Sequence, residues 1–457
     1  MTKFEAFKKY VNGKSVSVVG IGISNLPLIK FLCDNGARVT ACDKKSEYDL
    51  GEIANELKTR GVHLKCGDNY LENLSGEIIF KTPGMRFDLP ELENARANGS
   101  IVTSEMEVFF EVCPSRIIAV TGSDGKTTTT TLIYEILKES GYRCHVGGNI
   151  GSPLLCKTDE ILPEDIVVLE LSSFQLHTMK KSAEISVITN MSPNHLDVHK
   201  SYEEYINAKK NIYIHAGNES ILVVNKTNDK SYECRNDAKG KVRVFGYDAE
   251  CDVYSDENSI YAFGKKLLDR NDIKLPGEHN VQNYMTAIAA TFPMYKDDAV
   301  LTVARNFGGV AHRIEFVREL NGVRYYNSSI DSSPNRTINT LKVFDKVILI
   351  AGGKDKGIPY DEIGEHLAKK TKHIILIGKT GPIIKESLDK YIAKTGIGTD
   401  IPVEFCATYE EAVNAARTAS STGDVVLLSN ASTSFDMFKN FEERGNLFKK
   451  IVNSLKE

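Results

Sequence analysis

The chain has 457 residues, which at roughly 150 residues per domain predicts about three domains. Hydrophobic residues make up 41% of the sequence and charged residues 26%, values ordinary for globular proteins, so the composition excludes wholesale disorder. The net charge of −4 argues against a protein that coats nucleic acid or binds a membrane surface through a basic excess.

No apolar run reaches the roughly 20 residues that a membrane-spanning helix needs, and no apolar stretch follows the N-terminus ahead of a cleavage site. We therefore expect neither membrane insertion nor a secretory signal. The nine cysteines are scattered without a CxxC pair, which argues against a zinc ribbon or a thioredoxin-type motif. The expectation is reduced, structural thiols in a cytoplasmic protein.

Residues 1–103 begin with an apolar strand over residues 16–19, a glycine turn over residues 20–25 and a helix. A second strand over residues 38–42 ends at Asp43, and a third covers residues 77–80. Strands that alternate with helices and end in turns are typical of a parallel, doubly wound sheet. This region therefore predicts a Rossmann-like domain.

The first turn contains Gly20 and Gly22, but Asn25 stands where an NAD fingerprint places its third glycine. Asp43, at the end of the next strand, could hydrogen-bond a ribose or a base. Three interpretations stay open on these residues alone: an NAD site, a site for another nucleotide, or a turn that only packs.

Residues 104–309 restart the pattern with a strand over residues 117–120, which runs directly into the sequence TGSDGKTT at residues 121–128. In a phosphate-binding loop of this kind, backbone N–H groups surround the phosphate, Lys126 reaches the terminal phosphates and the Thr127 hydroxyl binds Mg²⁺. Val120 occupies the place of the first glycine in the strict motif, so the alternative is a glycine turn that happens to contain Lys and Thr. Further strands are predicted over residues 166–171, 185–189, 221–225 and 242–245.

The only indication of which nucleotide base is bound is that a guanine-specificity motif is incomplete. Asn228 stands where a guanine-specificity motif has Asp, which favours ATP over GTP.

Two polar residues of this second region lie at or after the ends of predicted strands. Glu170 lies near the end of an apolar strand, where a carboxylate is costly unless it is paired or bound to a metal. Beside a phosphate loop, Mg²⁺ is its natural partner. His195 follows another strand end, and a structural histidine is the alternative there.

A helix is predicted over residues 201–216, with Lys209 on its apolar face. A desolvated lysine loses proton affinity and becomes nucleophilic. The alternative is a lysine whose ammonium group extends from the edge of that face into solvent.

Residues 310–457 contain short apolar runs over residues 346–351, 373–377 and 425–429, each followed by a turn rich in Gly, Ser or Asn. Buried parallel strands have this pattern. The fold class predicted for the whole chain is therefore α/β in three domains: an N-terminal Rossmann-like domain, a central P-loop ATPase-like domain with a mostly parallel sheet, and a C-terminal Rossmann-like domain.

Eight segments, spread over essentially the whole chain, form a specific pattern through their order and spacing. They are residues 121–128, 147–151, 169–176, 194–197, 205–213, 277–283, 312–315 and 435–445. Together they resemble the Mur ligases, the ATP-dependent amide-forming enzymes of peptidoglycan synthesis. The last segment points to the D-glutamate-adding branch of that family.

The resemblance implies an ATP-dependent carbon–nitrogen ligase that joins D-glutamate to UDP-N-acetylmuramoyl-L-alanine through an acyl phosphate, in cytoplasmic peptidoglycan precursor synthesis. The partners would be these small molecules, with no nucleic acid, and the enzyme would be a monomer. The cofactors would be ATP and Mg²⁺ at two sites. Residues 1–103 would bind the UDP substrate, residues 104–309 ATP, and residues 310–457 the amino acid.

The resemblance also assigns roles to individual residues. The catalytic set would be Lys126, Glu170, His195 and Lys209. Metal would be held by Thr127, Glu170, His195 and Lys209, the last as a carbamate formed with CO₂. ATP would be bound by Gly122, Ser123, Asp124, Gly125, Lys126, Thr127, Thr128, Asn280, Asn283 and Arg313. The UDP substrate would be bound by Ile23, Ser24, Asp43, Lys44, Lys45, Thr82, Pro83, Gly84, Asn149, Ser172 and Gln175, and the amino acid by Ser332, Lys356, Ser434 and Phe441.

One loop departs from the family pattern. Relatives commonly carry Asp-Ser-Lys-Ala-Thr-Asn where this chain has SSIDSS at residues 328–333. Ser328 replaces the acidic residue expected near ATP, and Ile330 replaces the lysine. Asp331 is close by but points in a different direction, so the contacts of this loop to ATP and the amino acid are left open.

Three other functions are compatible with parts of the sequence. The first is another Mur-type or folylpolyglutamate-type amide ligase. The second is an NAD-dependent oxidoreductase built on the first domain, which leaves residues 122–128 unexplained. The third is a nucleotide-dependent switch, which would bind ATP without forming an amide.

Overall fold

The computed structural model describes residues 1–22, 25–151, 153–193, 199–355 and 357–456. The chain divides into two compact units, the first comprising Met1–Ile273 with Glu278–Arg305 and the second Lys274–Gly277 with Asn306–Glu457. Three mostly parallel sheets with helices between their strands confirm the predicted α/β class. Within the described ranges, no helix has both the length and the apolar character needed to cross a bilayer.

The first unit begins with a five-stranded parallel sheet in the order β3-β2-β1-β4-β5. The carboxyl ends of β1, β2 and β4 meet at one edge, because the strands are parallel. Its strands are β1 (Ser15–Val19), β2 (Arg38–Asp43), β3 (His63–Cys66), β4 (Ile78–Phe80) and β5 (Ile101–Thr103). The helices of this region are α1 (Lys3–Val11), α2 (Asn25–Asp34), α3 (Glu47–Leu50), α4 (Glu52–Thr59), α5 (Pro90–Ala97) and α6 (Glu105–Val112).

The same unit contains a nine-stranded sheet in the order β14-β13-β12-β11-β10-β9-β6-β8-β7. The strands are β6 (Arg116–Thr121), β7 (Cys144–Gly148), β8 (Ile166–Glu170), β9 (Ile185–Ile188), β10 (Ile221–Asn225), β11 (Lys241–Gly246), β12 (Val253–Ser255), β13 (Ser259–Ala262) and β14 (Lys265–Asp269). Its α-helices are α7 (Lys126–Glu139), α8 (Ser173–Leu176), α9 (Tyr202–Lys210), α10 (Asp229–Glu233), α11 (Glu278–Thr291) and α12 (Asp297–Asn306). Short 3₁₀ helices cover Leu155–Glu160, Cys234–Asn236 and Arg270–Asp272. Strand β6 lies between β8 and β9 and is parallel to both, so the ends of these three strands converge.

The second unit is built on a six-stranded sheet in the order β15-β16-β20-β17-β18-β19, in which only the β15–β16 pair is antiparallel. Its strands are β15 (Glu315–Leu320), β16 (Val323–Asn327), β17 (Val347–Gly352), β18 (Thr371–Ile377), β19 (Val403–Cys406) and β20 (Val425–Leu428). Its helices are α13 (Pro334–Leu341), α14 (Ile363–Lys370), α15 (Gly381–Thr395), α16 (Tyr409–Ala419) and α17 (Phe441–Ser454).

The buried parallel strands confirm the predicted ones to within two residues at each end. Their side chains are aliphatic and form the sheet interiors, as at Ile117, Val167 and Leu349. Helix α7 opens with a run of threonines, which are poor helix formers. Thr129 and Thr130 are fully buried there, so tertiary packing compensates for the low helix propensity.

The helix predicted over residues 201–216 is shorter than expected, and its second half is wrong. Helix α9 ends at Lys210, and the N–H groups of Ile212 and Tyr213 bond to the carbonyls three residues earlier, as in a tightening last turn. The side chain of Asn211 donates to the carbonyls of Leu176 and His177 at 2.9 and 3.2 Å, which ties the end of α9 to the segment after α8.

Candidate active site

The phosphate-loop segment connects the end of β6 to the start of α7. Gly122 and Gly125 have φ angles of +151° and +76°, a region that favours glycine. A Cβ at position 125 would lie 2.5 Å from Oδ1 of Asn283, and one at position 122 would overlap Oγ1 of Thr189. The loop therefore requires both glycines for space as well as for conformation.

The loop is fixed from below by the end of β9. The N–H of Ser123 donates to the carbonyl of Asn190 at 2.9 Å, and that of Asp124 donates to Oδ1 of Asn190 at 2.9 Å. The Thr189 hydroxyl donates to the Asp124 carbonyl at 2.6 Å. These bonds hold the loop in an ordered conformation.

Lys126 folds back over the loop that precedes it. Its Nζ donates to the carbonyls of Gly122 and Ser123 at 3.0 and 2.9 Å. Thr127 is buried in the first turn of α7, next in sequence to this ammonium. The two residues predicted to contact phosphate and metal therefore lie together at the N-terminus of the helix, where its dipole favours anions.

Glu170 ends β8 beside β6 and is only 2% exposed. Its Oε1 accepts a hydrogen bond from Nδ2 of Asn149 at 2.8 Å, while its Oε2 is buried and has no hydrogen-bond partner among the described residues. A buried, unsatisfied carboxylate oxygen is costly, and a cation is the partner that removes the cost. Carboxylate oxygens are the ligands that Mg²⁺ prefers, so Glu170 fits a metal ligand.

Lys209 is 1% exposed and reaches the same loop from α9. Its Nζ donates to the carbonyl of Gly122 at 2.7 Å and to Oγ1 of Thr121 at 3.1 Å. Burial, and next the positive charge of Lys126, hold the pKa of Lys209 well below its usual value, although Glu170 acts in the opposite direction. The structure thus places the lysine inside the protein, and the alternative of an ammonium group extending into solvent is wrong.

Asn280 and Asn283 approach the loop from α11. Oδ1 of Asn283 accepts a hydrogen bond from the Thr129 hydroxyl at 3.2 Å, and Nδ2 of Asn283 donates to Oδ1 of Asn280 at 3.2 Å. Both asparagines are buried. Lys126, Thr127, Glu170, Lys209, Asn280 and Asn283 are therefore all brought together around one loop, although they come from different elements.

The predicted nucleotide turn lies at the carboxyl edge of the first sheet. The N–H of Ile21 donates to Oδ2 of Asp43 at 2.6 Å, and the N–H of Lys45 donates to Oδ1 at 2.9 Å. Asn25 is buried and donates from Nδ2 to the carbonyl of Val19 at 3.0 Å, which ties the start of α2 to the end of β1. Asp43 thus organises the turn itself.

The other described residues assigned to the UDP substrate divide into two groups. The first group belongs to the first sheet. Thr82 lies so close to Gly20 that a Cβ added to the glycine would be 3.1 Å from the threonine Cβ. Lys44 and Lys45, which follow Asp43, and Gly84 are exposed. Asn149 lies at the other sheet beside Glu170. Ser172 and Gln175 form a capping box at α8, in which Gln175 Oε1 accepts from the N–H of Ser172 at 3.0 Å. Pro83 lies between Thr82 and Gly84 and is half-buried.

The described residues assigned to the second unit lie in loops at one edge of its sheet or at the start of a helix. Arg313 is exposed, and its N–H donates to the carbonyl of Val310 at 2.9 Å. The N–H of Ser332 donates to the carbonyl of Ile330 at 2.8 Å. Ser434 is buried, and Phe441 begins α17, where its carbonyl accepts from the Ser329 hydroxyl at 2.8 Å.

The atypical 328–333 loop is held by Asp331. Its Oδ2 accepts hydrogen bonds from the hydroxyls of Thr340 and Ser429 at 2.7 and 2.8 Å. Burial raises the pKa of Asp331, although hydrogen bonds from Ser328, Thr340 and Ser429 oppose the shift. The side chain thus fastens the loop to α13 and to the end of β20.

Sequence reasoning missed the structural role of Arg444. This guanidinium is completely buried and donates to Oγ and the carbonyl of Ser329 and to the carbonyl of Ser432, at 2.9, 2.7 and 3.0 Å. It therefore joins the 328–333 loop to the segment that contains Ser434. Its place in the 435–445 segment was the only signal in the sequence, since a lone arginine in a charged helix is usually solvated.

Four assigned residues, Ile23, Ser24, His195 and Lys356, lie outside the described residues. Among the residues that are described, no group of three or more His, Cys, Asp or Glu side chains is arranged to hold a metal ion.

Comparison with known proteins covers all three regions. Residues 14–104 match the Mur ligase MurD-like N-terminal domain, residues 120–291 the Mur ligase middle domain, and residues 312–431 the Mur ligase glutamate ligase domain. The chain is 52% identical over 466 residues to the UDP-N-acetylmuramoylalanine–D-glutamate ligase of Ruminiclostridium cellulolyticum, with 99% of each chain covered. It is 53% identical over 462 residues to the enzyme of the same name from Acetivibrio thermocellus, again with 99% of each covered.

Solved structures show the same fold at lower identity. The UDP-N-acetylmuramate-alanine ligase MurC of Thermotoga maritima matches with a TM-score of 0.58 and 19% identity, over 97% of this chain and 100% of that one. MurF of Acinetobacter baumannii matches with a TM-score of 0.58 and 16% identity, over 92% and 91% of the two chains. From the full-length identity above 50% and the three successive domain matches, we conclude that this chain belongs to the Mur ligase family.

Proposed function

We propose that this chain is the ATP-dependent ligase that joins D-glutamate to UDP-N-acetylmuramoyl-L-alanine. The observation that carries the proposal is the convergence of Lys126 and Lys209 on the carbonyl of Gly122, beside the unsatisfied carboxylate of Glu170. A buried site with two cationic groups and one open carboxylate is suited to polyphosphate and metal. The names of the full-length relatives supply the substrates.

The reaction requires activation of a poor electrophile. An oxygen of the L-alanyl carboxylate would attack the γ-phosphorus of ATP, so that ADP leaves and an acyl phosphate forms. The amine of D-glutamate would then attack the acyl carbon, and inorganic phosphate would leave with the C–O electron pair. Lys126 and the N–H groups of the loop would bind the phosphates and stabilise their charge.

Mg²⁺ fits the residues present. Thr127 and Glu170 would hold one ion, since Glu170 offers an open, buried oxygen. His195 and a carbamate on Lys209 would hold a second. When bound, the ions neutralise the charge that accumulates where phosphates and carboxylate meet.

The state of Lys209 supports carbamate formation. Only the neutral amine captures CO₂, and burial together with Lys126 lowers the pKa of this lysine. Addition of CO₂ to the neutral amine forms an N–C bond and releases one proton, and it leaves an anionic carbamate in place of the amine.

The remaining assignments divide the chain by substrate. We propose that residues 1–103 bind the UDP moiety, residues 104–309 bind ATP, and residues 310–457 bind D-glutamate through Ser332, Lys356, Ser434 and Phe441. Asn280, Asn283 and Arg313 would contact ATP. The nine cysteines are free thiols, which supports a reducing, cytoplasmic compartment, and the proposed working form is a monomer.

The test is ADP release with MgATP and UDP-N-acetylmuramoyl-L-alanine, with and without D-glutamate, together with the mass of the product. We expect ADP release that depends on D-glutamate and a mass gain of one glutamyl residue. Turnover only with a different amino acid would retain the ligase and exclude this acceptor, whereas ATP binding without any amide product would exclude ligation.

A further inference from the structure

The segment that follows residues 82–84, which are assigned to the UDP substrate, makes a charged contact with α9. Arg86 donates two hydrogen bonds to the carboxylate of Asp88, at 2.7 and 2.8 Å. The same guanidinium donates to Oε1 of Glu204 at 3.2 Å, and Lys200 donates to Asp88 at 2.7 Å. These four side chains join the segment after β4 to the N-terminus of α9.

Glu204 also organises the start of that helix. Its N–H donates to the Ser201 hydroxyl at 3.1 Å, and its Oε2 accepts from the N–H of Lys200. The side chains of Arg86 and Glu204 are 23% and 19% exposed. An ion pair that is shielded to this extent is worth more than one on the open surface, because solvent screens it less.

The other end of the contact reaches the phosphate loop. Tyr205, the residue after Glu204, shares a hydrogen bond of 2.9 Å with the hydroxyl of Ser123. One turn later, Lys209 donates to the carbonyl of Gly122. Helix α9 therefore connects Arg86 at its first turn with the phosphate loop along its buried face.

The segment after β4 makes a second contact, through the aromatic ring of Phe87. The ring of Phe87 lies 4.4 Å from that of His177, which follows the short helix α8 that carries Gln175. The segment after β4 is thus in contact with α9 and with the residue that follows α8, and each of these helices bears an assigned site residue. A displacement of this segment has a continuous path of bonded and packed groups to the ATP region.

We propose that the Arg86–Glu204 ion pair is a positioning contact that couples the UDP-substrate site to the phosphate loop, so that each ligand strengthens the binding of the other. The inference rests on the proposed function, since it assigns the UDP substrate to residues 82–84. Such coupling is reciprocal by thermodynamic necessity. The physical path is the rigid helix α9, held at one end by Arg86 and on its face by the loop.

The experiment measures coupling directly. Binding of UDP-N-acetylmuramoyl-L-alanine is measured by calorimetry with and without Mg²⁺ and a non-hydrolysable ATP analogue. In the unmodified protein, we expect the nucleotide to strengthen substrate binding by about fivefold or more. In Arg86→Met this ratio falls to about one, while the affinity for each ligand alone changes by less than about threefold.

The matched control is Lys8→Met. Lys8 pairs with Asp159 and so joins α1 of the first sheet's region to the 3₁₀ helix Leu155–Glu160 of the next region, away from the loop. This variant removes a more exposed ion pair, with side chains 28% and 60% exposed, and is expected to keep the coupling ratio. Loss of coupling in both variants would overturn the assignment to Arg86.

A second variant guards against misfolding of the first. Glu204→Gln is expected to lower the ratio as Arg86→Met does, and the double variant is expected to lower it no further. Absence of coupling in the unmodified protein, or full coupling in both single variants, would overturn the inference. If the unmodified protein bound neither ligand, the proposed function itself would fail.

Discussion

The charged side chains buried around the phosphate loop differ from those buried beneath the 328–333 loop in how fully they are satisfied. In the part of the chain that the structure describes, Glu170 has one oxygen without a hydrogen-bond partner, and Lys209 has no carboxylate within ion-pair distance. Asp331, in contrast, accepts hydrogen bonds from two hydroxyls, and Arg444 donates to one hydroxyl and two carbonyls. An unsatisfied buried charge is available to a ligand, whereas a satisfied one maintains the fold.

The largest effect is expected at Lys126. Lys126→Met removes the ammonium from the loop, and we expect kcat/KM for ATP to fall by about 10³-fold, because charge stabilisation at the phosphates is lost. The free energy of unfolding should change little. Steady-state kinetics and chemical denaturation measure the two quantities.

Lys138→Met is the control for that prediction. Lys138 lies near the other end of the same helix and is exposed, with its Nζ 5.6 Å from the ring of Tyr134. Activity should be retained. A large fall in the free energy of unfolding of Lys126→Met would contradict the prediction, because it would show that Lys126 mainly stabilises the fold.

Glu170→Gln tests the open carboxylate. We expect activity to fall by roughly 100-fold or more and the Mg²⁺ requirement to rise, since the substitution removes the charge that favours the ion. Stability should change by no more than about 1 kcal/mol, because the replaced oxygen accepts no hydrogen bond from any described residue. Glu164→Gln, at an exposed position shortly before β8, should match the unmodified enzyme in a Mg²⁺ titration.

Arg444 provides the opposite case. Arg444→Met leaves the carbonyls of Ser329 and Ser432 without their donor, so we expect the free energy of unfolding to fall by about 3 kcal/mol. Urea denaturation measures the change, with the exposed Lys450→Met on the same helix as control. Unchanged stability with a selective loss of D-glutamate binding would contradict a structural role.

The smallest expected effect concerns a third kind of buried charge, Glu105. Its carboxylate accepts a hydrogen bond from the N–H of Leu155 at 2.9 Å, yet burial raises its pKa from 4.5 to about 7. The folded state therefore binds the proton more tightly than the unfolded state. Stability from this group is present below about pH 4.5 and is lost as the pH rises toward 7, by about 1–3 kcal/mol.

Glu105→Gln isolates that contribution. The difference in unfolding free energy between the variant and the unmodified protein should increase in favour of the variant between pH 4.5 and 7, and then level off. Denaturation at a series of pH values measures it. Parallel pH curves would show that the carboxylate titrates normally in the folded protein.

The sequence predicted the strands best where they are buried on both faces, because uninterrupted aliphatic runs are distinctive there. Strands β12, β13 and β14 were missed, since each has three to five residues and mixed polarity at the edge of the sheet. The capping box of Ser172 and Gln175 is visible in the sequence as Ser-x-x-Gln. It was not predicted, because both residues were assigned to substrate binding instead.

The set of site residues could be predicted from the sequence. Which of their polar atoms have hydrogen-bond partners could not. Glu170 ends β8, and Lys126 follows the loop after the adjacent parallel strand β6, so topology alone places them at the same edge of the sheet. The open oxygen of Glu170 and the bonds of Asp331 depend on side-chain geometry across segments far apart in sequence. No periodicity encodes such long-range contacts.

The space that Gly125 leaves for Asn283 has a consequence for engineering. Because the amide oxygen of Asn283 occupies the volume that a side chain at position 125 would need, loop and helix α11 are shaped for each other although more than 150 residues separate them. Transplanting the eight-residue loop alone into another protein would omit Asn283, which packs against Gly125. A functional graft would have to carry α11 with it, as one composite part with two separate stretches of chain.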